Sequence, residues 1–360
     1  MKRNLCFLLG LAGALIAGVS RSEACTGITL QAGDGSWVVA RTIEWGGSNL
    51  NSRYVVVPRG YAQHALLPNG AAGMLFTARY GYVGFAVEED QFVAEGLNEA
   101  GLSAGLFYFP GYGQYVPFEE QSADRSIADL QLVPWLLGNC ATVEEAMAAI
   151  KEIRVVALDP RASTVHWRIA DKSGRQVVLE IVGGEPRFYE NELGVLTNSP
   201  GFEWQTTNLN NYVNLMAGSA STHKFGRVQL APFGAGSGFL GLPGDVTPPS
   251  RFVRAAFYQT TAPQYQTGVE TVVECFQILN NFDIPIGIEF GAGEQVTDIP
   301  SATQWTSATD ITNGMIYYRS MYNSAIRCFD LNKIRFDRVK YQVVPLDEVT
   351  QQPIVEVRVK

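Results

Sequence analysis

An α+β layered fold is the architecture this sequence predicts, on three observations. Strand-type segments open and close the chain, with helical patterns between them. Consecutive strands are joined by hairpin-type turns rather than by the helical crossovers that a parallel sheet needs. No Pro/Ser-rich linker, low-complexity tract or internal repeat divides the 360 residues, so one large domain is expected after a short leader.

The leader comes first. Lys2 and Arg3 precede an apolar run from Leu5 to Val19, and Ser22-Glu23-Ala24 reads as a small-x-small cleavage site. The run is short of the roughly 20 residues that span a bilayer. Residues 1–24 are therefore expected to be removed as a secretory signal peptide. A single domain over 25–360 would remain, beginning at Cys25, in a bacterial periplasm or the extracellular medium. No later stretch is long and apolar enough for a membrane helix, so membrane insertion is not expected. Losing Lys2, Arg3, Arg21 and Glu23 would remove three positive charges and one negative, moving the formal charge from −8 to −10. An acidic chain of this kind argues against nucleic acid or an anionic membrane as partner.

The first two strands are TGITLQ (26–31) and SWVVARTI (36–43), separated by AGDG. Asp34-Gly35 is a hairpin turn signal. With these as the two central turn residues, Cys25 lies opposite Glu44 and Arg41 opposite Ile28. Glu44 would then sit beside the amine of a chain that starts at Cys25. Strict alternation puts Arg41 and Glu44 on opposite faces, so a bulge or strand end near Thr42 is needed to bring Arg41 to Cys25. Further strands are expected at 53–57, 92–96, 102–108, 164–171, 175–182 and 314–319. Helices are expected at about 126–139, 143–152, 203–216 and 268–280. The second of these starts at Thr142, where Glu145 three residues on fits a capping box.

Of five cysteines, Cys6 leaves with the leader. Cys140 and Cys275 lie in apolar helical contexts and read as core thiols. No spacing suits zinc, and His64, His166 and His223 are the only histidines, so no metal and no cofactor is expected. His166, in TVHWRIAD, alternates along a strand and reads as a packed or hydrogen-bonded residue. Gly236 to Gly241 spell G-x-G-x-x-G, but no βαβ unit surrounds them, which excludes a nucleotide site.

Cys25 leaves three readings open from position alone: an incidental thiol, a lipid attachment point, or a catalytic N-terminal nucleophile. A lipoprotein normally carries an aliphatic residue three places before its cysteine and a small one two places before, where Ser22 and Glu23 stand here. A nucleophile is chemically self-sufficient at this position. The α-amine of a leading residue has a pKa of about 7.7–8.0, so it can take the thiol proton and later return it to the leaving amine. A cation such as Arg41 would favour the thiolate.

The motifs narrow the choice. CTGITL, followed by VVARTIEW with its Arg41 sixteen positions after Cys25, resembles the start of the choloylglycine hydrolase family, the N-terminal-nucleophile amide hydrolases that include bile salt hydrolases and penicillin V acylases. The likeness continues through NEAGLSAGLFYFPGY (98–112), GVLTNSP (194–200) and GAGSGFLGLPGDVTPPSRFVR (234–254). It implies a four-layer αββα fold and hydrolysis of a linear amide in a small N-acylated molecule. It implies Cys25 as nucleophile, Arg41 in contact with its sulfur, and Glu44 where the family usually places an aspartate bonded to the amine. Asn198 is implied as an oxyanion donor through its side-chain N–H, Arg251 as a site arginine, and a homotetramer as the assembly. Tyr108 stands where bile salt hydrolases commonly carry an oxyanion-assisting asparagine, and in this it is similar to penicillin V acylases. Trp45, Phe107, Tyr108, Phe109 and Tyr112 would suit a flat phenoxyacetyl ring or an acyl chain. The aromatic residues, Tyr108 and the negative charge together rank penicillin V and acyl-homoserine lactones above glycine- or taurine-conjugated bile salts. The reading from another class is an exported binding protein on the same scaffold, or a lipoprotein anchored through Cys25.

Overall fold

The structure, a computed structural model, describes residues 24–46, 50–68, 70–160, 162–291, 293 and 302–359. Of the expected leader only Ala24 falls within them; residues 1–23 lie outside the described residues.

The chain opens with eight strands: β1 (Ala24–Gln31), β2 (Trp37–Trp45), β3 (Arg53–Val57), β4 (Ala62–Leu66), β5 (Ala72–Thr77), β6 (Tyr82–Ala86), β7 (Val93–Asn98) and β8 (Leu102–Tyr108). A short β9 (Ser126–Ala128) leads into α1 (Leu132–Asn139) and α2 (Val143–Ile150). Strands β10 (Arg154–Val156), β11 (Val165–Asp171), β12 (Gln176–Val182) and β13 (Glu185–Glu190) follow, then α3 (Phe202–Asn208). A small hairpin, β14 (His223–Phe225) and β15 (Val228–Leu230), precedes α4 (Pro248–Thr261) and α5 (Gly268–Leu279). The closing strands are β16 (Ala302–Asp310), β17 (Met315–Ser320), β18 (Asn323–Asp330) and β19 (Gln342–Pro345).

Two large antiparallel sheets result. One has the order β1-β2-β16-β17-β18, the other β13-β12-β11-β8-β7-β6-β3-β19. They stack face to face: the ring of Phe85 on β6 lies 5.4 Å from that of Trp305 on β16 and 5.2 Å from that of Tyr318 on β17. Helices α4 and α5 cover β1, β2 and β16, while α1 and α2 cover β7, β8 and β11. These are the four αββα layers. Among the described residues no helix is long and apolar enough to cross a membrane.

Local chemistry sets the helix starts. At α5, Thr267 Oγ1 accepts from Glu270 N while Glu270 Oε2 accepts from Thr267 N, a reciprocal capping box. At α2, Thr142 Oγ1 accepts from Glu145 N as expected, but Glu145 reaches back to the N–H of Ala141 rather than that of Thr142. Helix α4 starts at Pro248, where a missing N–H costs nothing because first-turn donors have no helical partner. The expected helix over 126–139 is shorter, because Ser126 to Ala128 pair in parallel with β10 and only Leu132 onward is α-helical.

Candidate active site

The β1–β2 hairpin turns one residue differently from the simplest reading. Ala32 N donates to Ser36 O (2.8 Å) and Gly35 N to Ala32 O (3.0 Å), so the loop has three residues, and Gly35 takes the left-handed conformation at φ +89°. The Asp-Gly signal is real, but its glycine supplies a bulge after a type I turn. The pairing therefore shifts by one: Cys25 lies opposite Ile43, Gly27 opposite Arg41 and Ala24 opposite Glu44. A one-residue shift exchanges every face. Cys25, Gly27, Arg41 and Ile43 now share the face towards the second sheet, and Arg41 meets Cys25 diagonally without a bulge in this pair. Ala24, Thr26, Thr42 and Glu44 share the opposite face, towards α4 and α5.

Cys25 is 4% exposed, and its sulfur accepts from Arg41 Nη2 at 2.9 Å. Arg41 itself is fully buried between the sheets. Its Nη1 donates to the carbonyls of Leu106 (2.5 Å) and Ala94 (3.2 Å), and its guanidinium lies 4.0 Å over the Phe107 ring. Burial pushes the Cys25 thiol above its ordinary value, and Glu44 adds to this; Arg41, the backbone N–H of Tyr108 and Arg251 pull the other way but do not cancel it.

Strand β1 is an edge of its sheet, and its free edge is closed from outside. Gly27 bonds in both directions with Leu196, and two residues further along each strand the side chain of Asn198 continues the ladder: Oδ1 accepts from Cys25 N at 2.9 Å. The same oxygen accepts from Arg251 Nη2 at 2.7 Å, and Asn198 Nδ2 donates to the carbonyl of Tyr108 at 2.8 Å. Arg251, from the first turn of α4, also donates to the Cys25 carbonyl (2.5 Å) and Thr26 Oγ1 (2.8 Å) through Nη1. Cys25, Arg41, Asn198, Arg251 and the Tyr108 backbone are thus brought together. The Asn198 side chain thus bridges the two sheets' edges: its oxygen holds Cys25 N, one of its two N–H donors goes to the Tyr108 carbonyl, and the other N–H remains for an oxyanion.

Glu44 lies opposite Ala24 rather than Cys25. Its carboxylate lies on the helix side, 1% exposed, with Oε1 accepting from Thr303 Oγ1 at 3.1 Å and Oε2 without a hydrogen-bond partner among the described residues. The acceptor at Cys25 N is Asn198. Burial, only partly offset by Arg251, Thr42, Thr303 and Arg41, pushes the Glu44 carboxyl up to about 7. A carboxyl raised from 4.5 to about 7 on folding binds more protons folded than unfolded between those values. The fold therefore loses stability as pH rises through that window, by roughly 3 kcal/mol at full ionisation. In a chain that retains Ala24, Glu44→Gln is expected to raise the melting temperature at pH 8 by several degrees and to change it little at pH 4.5. Thermal unfolding at the two pH values checks this, and an equal effect at both would refute it.

Two further buried charges escaped the sequence reading. Glu95 on β7 is 3.5 Å from Arg41 Nη1 and 2.7 Å from Arg168 Nη2 on β11. A charge inside the apolar run FVAEGL was the available signal. The aromatic residues divide: Phe107 and Phe109 are buried, the first under Arg41 and the second stacked 4.3 Å from the His166 ring. They pack in the core, whereas Tyr112 is exposed. His166 bonds Glu180 and the Thr197 carbonyl. Gly236 to Gly241 form a loop and a single 3₁₀ turn. Among the described residues no cluster of three His, Cys, Asp or Glu is placed to hold a metal.

Residues 25–343 match the family described as linear amide C–N hydrolases, choloylglycine hydrolase family. A bile salt hydrolase/transferase of Clostridium perfringens is 32% identical over 319 residues, which are 87% of this chain and 94% of that protein. A penicillin V acylase of Pectobacterium atrosepticum is 23% identical over 327 residues, 83% and 78% of the two chains. Among solved structures, a variant of the conjugated bile acid hydrolase from Clostridium perfringens superposes with a TM-score of 0.78 at 29% identity, covering 93% of this chain and 100% of that one. The matched span, residues 25–343, contains the cysteine, the arginines and the asparagine that the fold gathers at the end of β1, and the chain is a hydrolase of linear amide C–N bonds that belongs to the choloylglycine hydrolase family.

Proposed function

We propose that this enzyme hydrolyses the amide of glycine- or taurine-conjugated bile salts, with Cys25 as nucleophile once residues 1–24 are removed. The substrate class rests on one observation: near full-length similarity to a bile salt hydrolase at 32% identity, against 23% to a penicillin V acylase. This reverses the ranking drawn from Tyr108, the aromatic residues and the net charge. Phe107 and Phe109 are spent in the core, and an overall negative charge says little about a site built around Arg41 and Arg251.

The mechanism follows from the contacts. The Cys25 sulfur, 2.9 Å from Arg41 Nη2, gives up its proton to the α-amine and attacks the amide carbonyl carbon. The C–N bond breaks as the α-ammonium returns a proton to the departing nitrogen, leaving a thioester on Sγ. Water, deprotonated by the same amine, attacks the thioester and releases the acid and the thiol. Asn198 Oδ1 at 2.9 Å from Cys25 N supports a role in holding the amine, while the second N–H of its Nδ2 can still donate to the oxyanion. Glu44, opposite Ala24 in the ladder, is next to the amine that cleavage would create, with one oxygen unused. Arg251 holds the Cys25 carbonyl and Asn198 together.

Comparing kcat/KM on glycocholate, penicillin V and a long-chain acyl-homoserine lactone tests the substrate class. Glycocholate is expected to lead by tenfold or more, equivalent to about 1.4 kcal/mol of transition-state binding; a tenfold lead for penicillin V would overturn the assignment but not the reaction class.

Assembly as a homotetramer belongs to the same reading. Phe225 and Val228 on the β14–β15 hairpin, together with Phe233 and Leu240, leave an exposed apolar surface ahead of α4. Light scattering should give a mass of several chains, reduced by Phe225→Asp; a monomeric parent would exclude it.

A further inference from the structure

We propose that Glu95 and Arg168 are positioning residues for the hydrolysis: the Glu95 carboxylate, drawn tightly onto Arg168, fixes the Arg41 guanidinium at the Cys25 sulfur without neutralising it. This rests on the reading of Cys25 as nucleophile.

The inference starts from what a buried arginine needs. Arg41 is fully buried, and a guanidinium out of water requires a counter-charge and partners for its donors. Two carbonyls, of Leu106 and Ala94, fix its orientation, and Glu95 is the counter-charge. The geometry is unequal, however. Glu95 Oε1 is 2.7 Å from Arg168 Nη2, whereas Oε2 is 3.5 Å from Arg41 Nη1 and has no hydrogen-bond partner among the described residues. Ser103 Oγ donates to Oε1 at 3.4 Å, on the Arg168 side of the carboxylate. Arg168 Nη1 also donates to the carbonyl of Ala40 at 3.3 Å, so the same side chain ties down the β2 backbone immediately before Arg41.

The backbone makes room for this arrangement. A Cβ at Gly105, opposite Glu95 in the β7–β8 ladder, would stand 2.1 Å from Glu95 Oε2. A Cβ at Gly27, opposite Arg41, would stand 3.0 Å from the Phe107 ring and 3.4 Å from Arg168 Nη1. Two glycines facing the two ends of one ion network mark it as built rather than incidental.

Charge counting gives the network its chemical meaning. Arg41 and Arg168 carry two positive charges against the single negative charge of Glu95, all buried. The unmet positive charge faces the sulfur, and a thiolate completes the set. If Arg168 were absent, Glu95 would turn wholly to Arg41 and cancel its pull on the sulfur. If Glu95 were uncharged, the pull would increase. Around the sulfur the charged and titratable groups among the described residues are Arg41 and Glu44 from β2, Glu95 from β7, Tyr108 from β8, Arg168 from β11 and Arg251 from α4, joined in the mature enzyme by the α-amine of Cys25 itself, which all the variants share. Cys275 on α5 lies near Arg168 but is held neutral, since burial pushes its thiol far above the usual range.

The test is the pH dependence of Cys25 alkylation by iodoacetamide in the mature enzyme, followed at Cys25 by peptide mass spectrometry so that the exposed Cys328 does not interfere. Arg168→Met is expected to raise the apparent thiol pKa by about one unit, a tenfold loss of thiolate at fixed pH, and Glu95→Gln to lower it by a similar amount. The lower limb of the kcat/KM profile should move with each. A purely structural role would lower the melting temperature without these opposed shifts. Unmoved profiles, or two shifts of the same sign, overturn the proposal. Should Arg168→Met fail to fold, Arg168→Lys should leave the thiol close to the parent, and Glu95→Gln alone decides by the sign of its shift. If alkylating Cys25 leaves activity intact, the nucleophile reading itself has failed; if it abolishes activity and the variants do not shift, only the positioning role has.

Discussion

Cys25→Ser is expected to lower amide hydrolysis at neutral pH by at least about 10³-fold while the protein stays folded. The exchange keeps side-chain size at a position that is 4% exposed and packed between two sheets, so melting temperature should change by only a few degrees. The chemistry changes far more. A thiol beside Arg41 can ionise with the help of an amine whose pKa is about 7.7–8.0, whereas a hydroxyl is many units too weak an acid for that base. The control is Cys328→Ser, which alters an exposed thiol and should leave kcat unchanged. Initial rates on the preferred amide, with circular-dichroism melts beside them, decide the matter. A Cys25→Ser enzyme within tenfold of the parent would remove Cys25 from the mechanism.

Keeping Ala24 in front of Cys25 should be almost as damaging. In that chain the Cys25 nitrogen is a peptide N–H, and the structure shows it already donating to Asn198 Oδ1 at 2.9 Å. An amide nitrogen does not accept a proton near neutral pH, so the base is lost although Arg41, Asn198 and Arg251 remain in place. General-base catalysis contributes about 10²–10⁴-fold, and a loss in that range is expected. Intact-mass spectrometry must accompany the rates, because a trimmed subpopulation would mimic activity. A uniformly extended protein that hydrolyses substrate normally would end the N-terminal-nucleophile reading. If residues 1–24 direct export, the same spectrum on protein recovered after expression with its leader should show a free Cys25 terminus; a diacylglyceryl adduct would point instead to a lipid-anchored protein.

Much of this molecule was legible in its sequence, for physical reasons that also mark the limit. Strands such as Leu102–Tyr108 and Gln176–Val182 are nearly continuous apolar runs, buried on both faces between a helix layer and the other sheet, and their composition says so. The central strand β16, ATQWTSATD, was missed because its burial is achieved with threonine, serine and alanine, which carry little hydrophobic signal. Helix α4 was seen only as the motif PSRFVR; its side towards the sheet includes two buried arginines, Arg251 and Arg254, which break the apolar stripe that announces a helix. At the site, residue identities could be read but their directions could not. The ladder partner of Glu44 and the bonds of Asn198 follow from strand register and edge closure, and Glu95 pairs with Arg168 across 73 positions of sequence.

The three-residue turn after β1 has a bearing on how chains of this kind can vary. Every side chain that touches the sulfur from β2 does so by parity: an odd-numbered position looks into the sandwich and an even one looks at the helices. The turn can exchange Gly33 or Asp34 for other residues at modest cost, but its length is arithmetically locked. Losing or gaining one residue between Ala32 and Ser36 would hand Arg41 to the helices and Glu44 to the sheet interior, unless the extra step were absorbed before Arg41. In loop grafting or insertional mutagenesis, this exposed connection, far from any reacting atom, should therefore tolerate changes of spelling and reject changes of count.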